Sequence, residues 1–407
     1  MTRPVSRRLA ALVLACSLTA LAPWSQAEEG DDAPPPPPPP ASWEPAGVVE
    51  PPAPTAGAEV RPFIPSPLFK LGAFELDVHA RVQALFGLVG EDARVASGDL
   101  LSSDGFRLRR ARLGLDGQLL EDWRFSLELD LVDEENGGSA LIEASVTWAP
   151  IEYAWVRVGA DKPGFSRTLL QSSGRMQFME RPLWVNLERA TKTVMLDLGH
   201  QVGLAVGGQA SLFSYEVGVF NGGRGFSVGD FSDGLLYLVR LGVGMGELGP
   251  DEADLAGGDL RWRFAINGYL NYDLAAEFRG AGTDLALKWN GLSFYAEAVW
   301  AKAIPSAGGD VVSVLDESER WGMYAQAGYV LPLGLSAVDL EVALRFAIMD
   351  DQVHVDDEGD AWELTAGVNA YFFRNHLKAM LNYIRREERH GADLSNDLVA
   401  LMLQAMF

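Results

Sequence analysis

From Phe74 to Phe86 the chain alternates without a break: Phe74, Leu76, Val78, Ala80, Val82, Ala84 and Phe86 are apolar, and Glu75, Asp77, His79, Arg81 and Gln83 fall between them. A period of two puts these sets on opposite faces of a β-strand. The same alternation returns, punctuated by turn residues, as far as Phe407. Sixteen segments are predicted to be strands: 74–86, 106–115, 123–131, 141–148, 153–162, 201–209, 213–220, 235–243, 260–272, 283–289, 292–302, 321–331, 338–348, 362–372, 377–384 and 398–407. Asn290-Gly291 joins the tenth to the eleventh and is the strongest short hairpin signal in the chain.

The connections alternate as well. Every second one is short, such as 149–152 or 374–376, and the others are mostly longer and more polar, such as 88–104, 163–200, 303–320 and 350–360. One connection in the short set, 245–258, is longer than this rule predicts. Short turns at one end, long loops at the other and an even strand number predict an all-β fold, a sixteen-stranded antiparallel transmembrane β-barrel. A soluble sandwich would carry a polar outer face. Here the apolar face holds Trp123, Trp148, Trp262, Trp289, Trp300, Trp321 and Trp362 near strand ends, as an interfacial girdle does.

The second segment breaks the rule in an informative way. Phe106 and Leu108 share one face and Arg107 and Arg109 the other, but from Ala111 onward the odd positions are apolar. One extra residue near Arg109-Arg110, a β-bulge, would bring Arg107, Arg109, Arg110 and Arg112 to the same side. Four arginines on one wall call for water or anions.

Composition sets the address. Arg3, Arg7 and Arg8 precede an apolar run from Leu9 to Leu21 and a small-x-small site, Ser25-Gln26-Ala27. This predicts a secretory signal peptide over 1–27, cleaved after Ala27. Residues 28–68 form a second unit, a proline-rich periplasmic linker with an unbroken run from Pro34 to Pro40; residues 69–407 form the third, the barrel. Cys16, the single cysteine, leaves with the signal, which excludes disulfides and Cys-ligated metals. A formal net charge of −23 excludes a domain-wide nucleic-acid footprint. Beyond the signal, no apolar run is long enough for a helical span. The last strand ends on Phe407, the usual signal to the barrel assembly machinery, and the barrel itself implies an outer-membrane lipid partner.

Candidate chemistry is local. The third long loop carries Lys162, Arg167, Arg175, Arg181, Arg189 and Lys192 against Asp161, Glu180 and Glu188. Facing the arginine strand, it would form a basic constriction in an acidic protein. Rings of Arg or Lys select anions, and guanidinium presents a rigid fork to phosphate or carboxylate. The competing arrangement pairs these arginines with Glu128, Asp130, Glu143 and Glu216, which alternation also points inward. The acidic run from Asp350 to Asp360 could hold Ca²⁺ or bridge surface lipid through divalent ions, but it has no calcium-loop spacing and reads first as a solvated outer loop; the histidines are scattered without metal spacing. No Gly-x-Ser-x-Gly elbow or triad supports an enzyme, and no cofactor is implied.

Several motifs occur in order: Phe106-Arg-Leu-Arg-Arg-Ala-Arg-Leu, Leu141-Ile-Glu-Ala-Ser-Val, Val158-Gly-Ala-Asp-Lys-Pro-Gly-Phe165, Gln171-Ser-Ser-Gly, Phe178-Met-Glu-Arg-Pro182 and Tyr215-Glu-Val-Gly-Val-Phe-Asn-Gly222. Through them, residues 70–407 resemble the phosphate-selective porin O and P family. The resemblance implies a homotrimeric barrel for anion uptake with its third loop folded inward. It maps the family's anion site onto Arg109, Arg110, Ser172, Ser173 and Arg181, with an acidic residue at Glu143. Three features depart from the family. Thr168-Leu169-Leu170, shortly before the paired serines, holds no lysine; only Arg261, Arg263 and Arg279 stand where an arginine ladder is expected; and the proline-rich linker replaces the family's N-terminal helical segment. The expected function is passive diffusion of small anions, phosphate or polyphosphate first, in the bacterial outer membrane. The alternatives are a general porin of the same fold and a structural tether acting through the proline-rich arm.

Overall fold

The computed structural model describes residues 67–89, 104–133, 138–151, 153–186, 195–222, 234–272, 276–305, 318–335, 337–357, 359–390 and 397–407. The expected signal peptide and proline-rich linker, with Glu188, Arg189 and Lys192, lie outside them.

A three-residue strand, β1 (Phe69–Leu71), precedes sixteen that close a ring. These are β2 (Phe74–Val89), β3 (Gly105–Leu119), β4 (Trp123–Asp133), β5 (Gly138–Ile151), β6 (Ala154–Asp161), β7 (Gln201–Ala210), β8 (Phe213–Phe220) and β9 (Leu236–Met245). They continue as β10 (Arg261–Tyr272), β11 (Ala276–Trp289), β12 (Leu292–Pro305), β13 (Ser318–Leu331), β14 (Asp339–Asp350), β15 (Ala361–Tyr371), β16 (Leu377–Glu388) and β17 (Leu398–Met406). Each pairs antiparallel with its chain neighbours, and β17 closes the ring on β2 with Leu398 opposite Val89 and Met406 opposite Arg81. The Phe407 backbone exchanges hydrogen bonds with Ala80 at 2.8 and 3.0 Å. Below that point β1 takes over the free edge of β2, with Phe69 opposite Leu76. Closure leaves no unpaired edge for lipid to meet, which is why a sheet can cross a bilayer at all.

All sixteen expected strands are present, and most are longer than their apolar pattern. The largest difference is β11, which begins at Ala276 rather than at 283. Its first half carries Glu277, Arg279, Gly280 and Gly282, too polar and too small to register as alternation. β1 is missed because three residues carry no period.

The two faces are chemically opposite. Val82, Leu113, Leu241, Ile266, Leu344, Leu381 and Leu403 are exposed on the outer face. Gln83, Asn267, Asp284, Glu297, Gln326, Glu341, Arg345 and Gln404 are buried on the inner one. The girdle tryptophans take the outer phase, and Trp123 and Trp148 stand opposite each other and stack with centroids 5.9 Å apart.

The bulge lies where the phase slip predicts it. Gln83 pairs with Arg110 and Ala84 with Leu108, so Arg109 is the unpaired residue of β3. The connections also follow the expected order: 120–122, 211–212, 290–291 and 372–376 are tight turns on one side. In outer-membrane barrels that side faces the periplasm. The exception, 246–260, folds back into the lumen, where the backbone N–H of Glu252 donates to Arg175 O at 2.9 Å.

Candidate functional site

The inner wall of β2, β3 and β4 sets out charges in rows. Arg81 stands opposite Arg112, and Arg112 opposite Asp130. Adjacent guanidiniums repel, so the row requires carboxylates between them. Glu128 supplies one, 2.9 Å from Arg81 and 3.5 Å from Arg112, and Asp130 lies 2.8 Å from Arg112 Nε. The next row holds Arg109 and Arg110, and the bulge sends both side chains to one carboxylate. Arg109 Nε donates to Glu180 Oε1 at 2.6 Å. Arg110 Nη2 donates to both Glu180 oxygens, at 3.2 and 3.0 Å, and its Nη1 donates to Gln83 at 2.8 Å. Arg109 and Arg112 flank Arg110 along the same strand.

Glu180 reaches this wall on the third loop, which crosses the lumen. A single helical turn, α1 (Arg167–Leu170), starts it, with Ser166 at its N-cap. The carboxylate of Glu297 on β12 accepts from the backbone N–H groups of Arg167 and Thr168 at 2.9 and 3.0 Å, satisfying donors that the helix start leaves open. Beyond α1 the loop runs along the far wall. Gln177 donates to Ser293 and Glu341 at 2.6 and 2.5 Å. Asn369 donates to Gln177 O at 2.8 Å, Asn382 accepts from Met179 N at 3.1 Å, and Arg345 donates to Glu180 O at 2.8 Å. Trp184 is wholly buried, and Gly322 makes the room: a Cβ there would sit 2.7 Å from Trp184 Cγ. Phe165 packs edge-on against Tyr269 with centroids 5.0 Å apart.

The inturned connection 246–260 supports the same loop from the periplasmic side. Glu252 accepts from Gln177 N at 2.8 Å and Gln326 at 3.1 Å, and Asp251 pairs with Arg175 at 2.7 Å. Its length, anomalous in the turn pattern, reflects this inward course.

With the loop packed on β12 to β17, open volume remains beside β2 to β6. A cavity of about 630 Å³ lies there. Arg112, Arg124, Arg157, Lys162, His79 and His200 line it with Glu75, Asp77, Asp116, Glu128, Glu143 and Asp161. Arg157 pairs with Asp161 at 2.6 Å and reaches Glu216 at 3.8 Å. Glu143 stands opposite Glu128, and Ser145 is 3.3 Å from it.

The structure places the sequence candidates in three environments. Arg112, Ser172, Lys162 and Glu143 line the cavity. Arg109 and Arg110 join Glu180, while Ser172 accepts from Arg81 at 3.0 Å. Ser173 is buried, and its Oγ has no hydrogen-bond partner among the described residues. The rest tie the loop together. Arg181 donates to the carbonyls of Thr168 and Gln171 at 2.9 and 2.7 Å, Arg167 stacks over Tyr295 at 5.0 Å, and Arg175 pairs with Asp251. Arg107 sits on the inner face of β3, beyond Arg109. Sequence reasoning counted Glu180 only as countercharge within its loop and missed Arg81. The alternation of β2 does point Arg81 inward, but nothing local marks its meeting with Ser172.

Comparison with known proteins agrees with this architecture. Sequence comparison with curated proteins finds no match. The outer membrane channel DcaP of Acinetobacter baumannii is similar in fold, with TM-score 0.53 at 13% identity, covering 83% of this chain and 99% of that one. OprB of Pseudomonas putida gives TM-score 0.53 at 13% identity, over 82% and 94%. The anion-selective porin from Comamonas acidovorans gives 0.50 at 12%, over 82% and 100%. The profile of the phosphate-selective porin O and P family matches residues 81–240 and 294–407. The chain therefore belongs to the phosphate-selective porin O and P family, and it is an outer-membrane β-barrel channel.

Proposed function

We propose that this channel passes small anions by passive diffusion, with phosphate or polyphosphate first among the candidates. The observation that carries the reading is the charge balance of one wall. Arg81, Arg109, Arg110 and Arg112 stand there with three carboxylates, Glu128, Asp130 and Glu180. Among the described residues guanidinium is in excess by one on this wall. An anion at this level exchanges hydration for charge-assisted hydrogen bonds shared among several donors. Sharing keeps each bond weak enough for release, as conduction requires.

The remaining expectations belong to the same reading. The channel assembles as a homotrimer; a solved structure of OmpT of Vibrio cholerae is described as its trimer form. It is exported by the signal peptide 1–27 and inserted through recognition of Phe407, with residues 28–68 as a periplasmic linker. It catalyses no reaction.

A second reading, a general porin, is favoured by the cavity lining. Six carboxylates there meet four Arg or Lys side chains and two histidines. Reversal potentials in a salt gradient across a planar bilayer separate the two. Anion preference that falls in Arg109→Ala and Arg181→Ala supports the first; cation preference unchanged by those substitutions overturns it.

A further inference from the structure

The outer loop joining β14 to β15 meets the loop that follows β16. Asp356 and Asp360 come from the first and His390 from the second, and one ligand atom of each lies within 4.8 Å of the others. His390 Nε2 is 3.7 Å from Asp356 Oδ1 and 3.7 Å from Asp360 Oδ2. That is too long for a hydrogen bond. It is close to the spacing of ligand atoms around a tetrahedral zinc ion, since bonds of about 2.0–2.1 Å put them about 3.4 Å apart.

A second observation is independent of the clustering. Asp360 is 2% exposed, and its Oδ1 is buried without a hydrogen-bond partner among the described residues. A carboxylate removed from water and left unpartnered is costly, and a cation is the usual remedy. Asp350 acts on it from close by, and its buried Oδ1 also has no hydrogen-bond partner among the described residues. Two carboxyl groups meet there and repel each other when both are ionised, which a bound cation relieves. Backbone geometry holds the pieces together: Arg389 N donates to Asp360 O at 2.6 Å, and Asp360 N to Asp357 O at 3.2 Å.

We propose that Asp356, Asp360 and His390 form a divalent transition-metal site that clips these two outer loops together, with Asp350 or water completing the shell. Mixed imidazole and carboxylate ligands suit Zn²⁺ and its neighbours, whereas Ca²⁺ takes oxygen alone. The acidic run carries no metal spacing by itself because the histidine arrives from the next outer loop, 30 residues beyond Asp360. The site is independent of how the pore selects ions.

The test is calorimetric titration of the full-length, detergent-solubilised channel, freed of metal with chelator, using ZnCl₂ and separately CaCl₂. One equivalent of Zn²⁺ is expected to bind, at least tenfold more weakly in His390→Ala and in Asp360→Asn, with excess Ca²⁺ unable to displace it. Asp77→Asn, inside the lumen, should leave Zn²⁺ binding unchanged. Heat-modified migration in gels verifies that each variant is folded. Zn²⁺ binding unaffected by either loop substitution, no Zn²⁺ binding by the folded wild type, or displacement by equimolar Ca²⁺ would each overturn the proposal.

Discussion

Arg110 donates to both carboxylate oxygens of Glu180, at 3.2 and 3.0 Å, across 70 residues of chain. Arg109 reaches the same carboxylate at 2.6 Å because it is the unpaired residue of a β-bulge. Two guanidiniums thus hold one side chain of the inward loop, where a mobile anion would otherwise compete for them. Glu180 fixes the loop and at the same time lowers the positive charge of the wall.

Glu180→Gln separates these effects. Selectivity is expected to move toward anions, read as a larger reversal potential of anionic sign. Stability is expected to fall by about 3–5 kcal/mol, because the arginines lose a buried partner. Unfolding midpoints in denaturant measure the second effect. A shift toward cations would contradict the role given to the wall.

Deleting Arg109 removes the extra residue of the bulge. Arg110 opposite Gln83 then follows Leu108 opposite Ala84 directly, so the strand alternates regularly and Phe106, Arg107 and Leu108 keep their faces. Assembly near that of the wild type is expected, measured as the heat-modifiable fraction in vesicles. Glu180 keeps Arg110 but loses Arg109, so the reversal potential should move toward cations as in Arg109→Ala. Loss of assembly in the deletion alone would mean that the bulge itself is needed to close the barrel.

Gly322→Leu tests how the loop is seated. Even a Cβ at this position would lie 2.7 Å from Trp184 Cγ, so a larger side chain must displace the loop from β13. Trp184→Ala empties the same contact and is expected to cost about 3–5 kcal/mol. Both should change single-channel conductance and raise open-channel noise. Unchanged conductance in both would mean that the loop does not limit flow.

Glu297→Ala removes the acceptor for the backbone N–H groups of Arg167 and Thr168. Leaving those buried donors open is expected to cost about 1–3 kcal/mol. The loop should loosen at its start while Glu180 stays anchored at its centre. Faster amide exchange at residues 167–170 than in the wild type, with no change at 176–180, is the expected pattern.

The alternation of apolar and polar residues by itself determined the sixteen strands of the ring, the inside and outside of each, the turn side and the bulge at Arg109. These are local properties: a period of two and a slip in it can be read without knowing what lies across the lumen. The anomalous length of 246–260 was legible too, but its inward course was not. Tertiary structure alone decided which charges meet. Glu180 with Arg110, Glu297 with the start of α1, and His390 with Asp360 join residues from different strands and loops. Closing the ring brings those residues together, and no periodicity in the chain encodes that. Inside the barrel, burial then forces each polar group to find a partner among whatever closure has placed nearby.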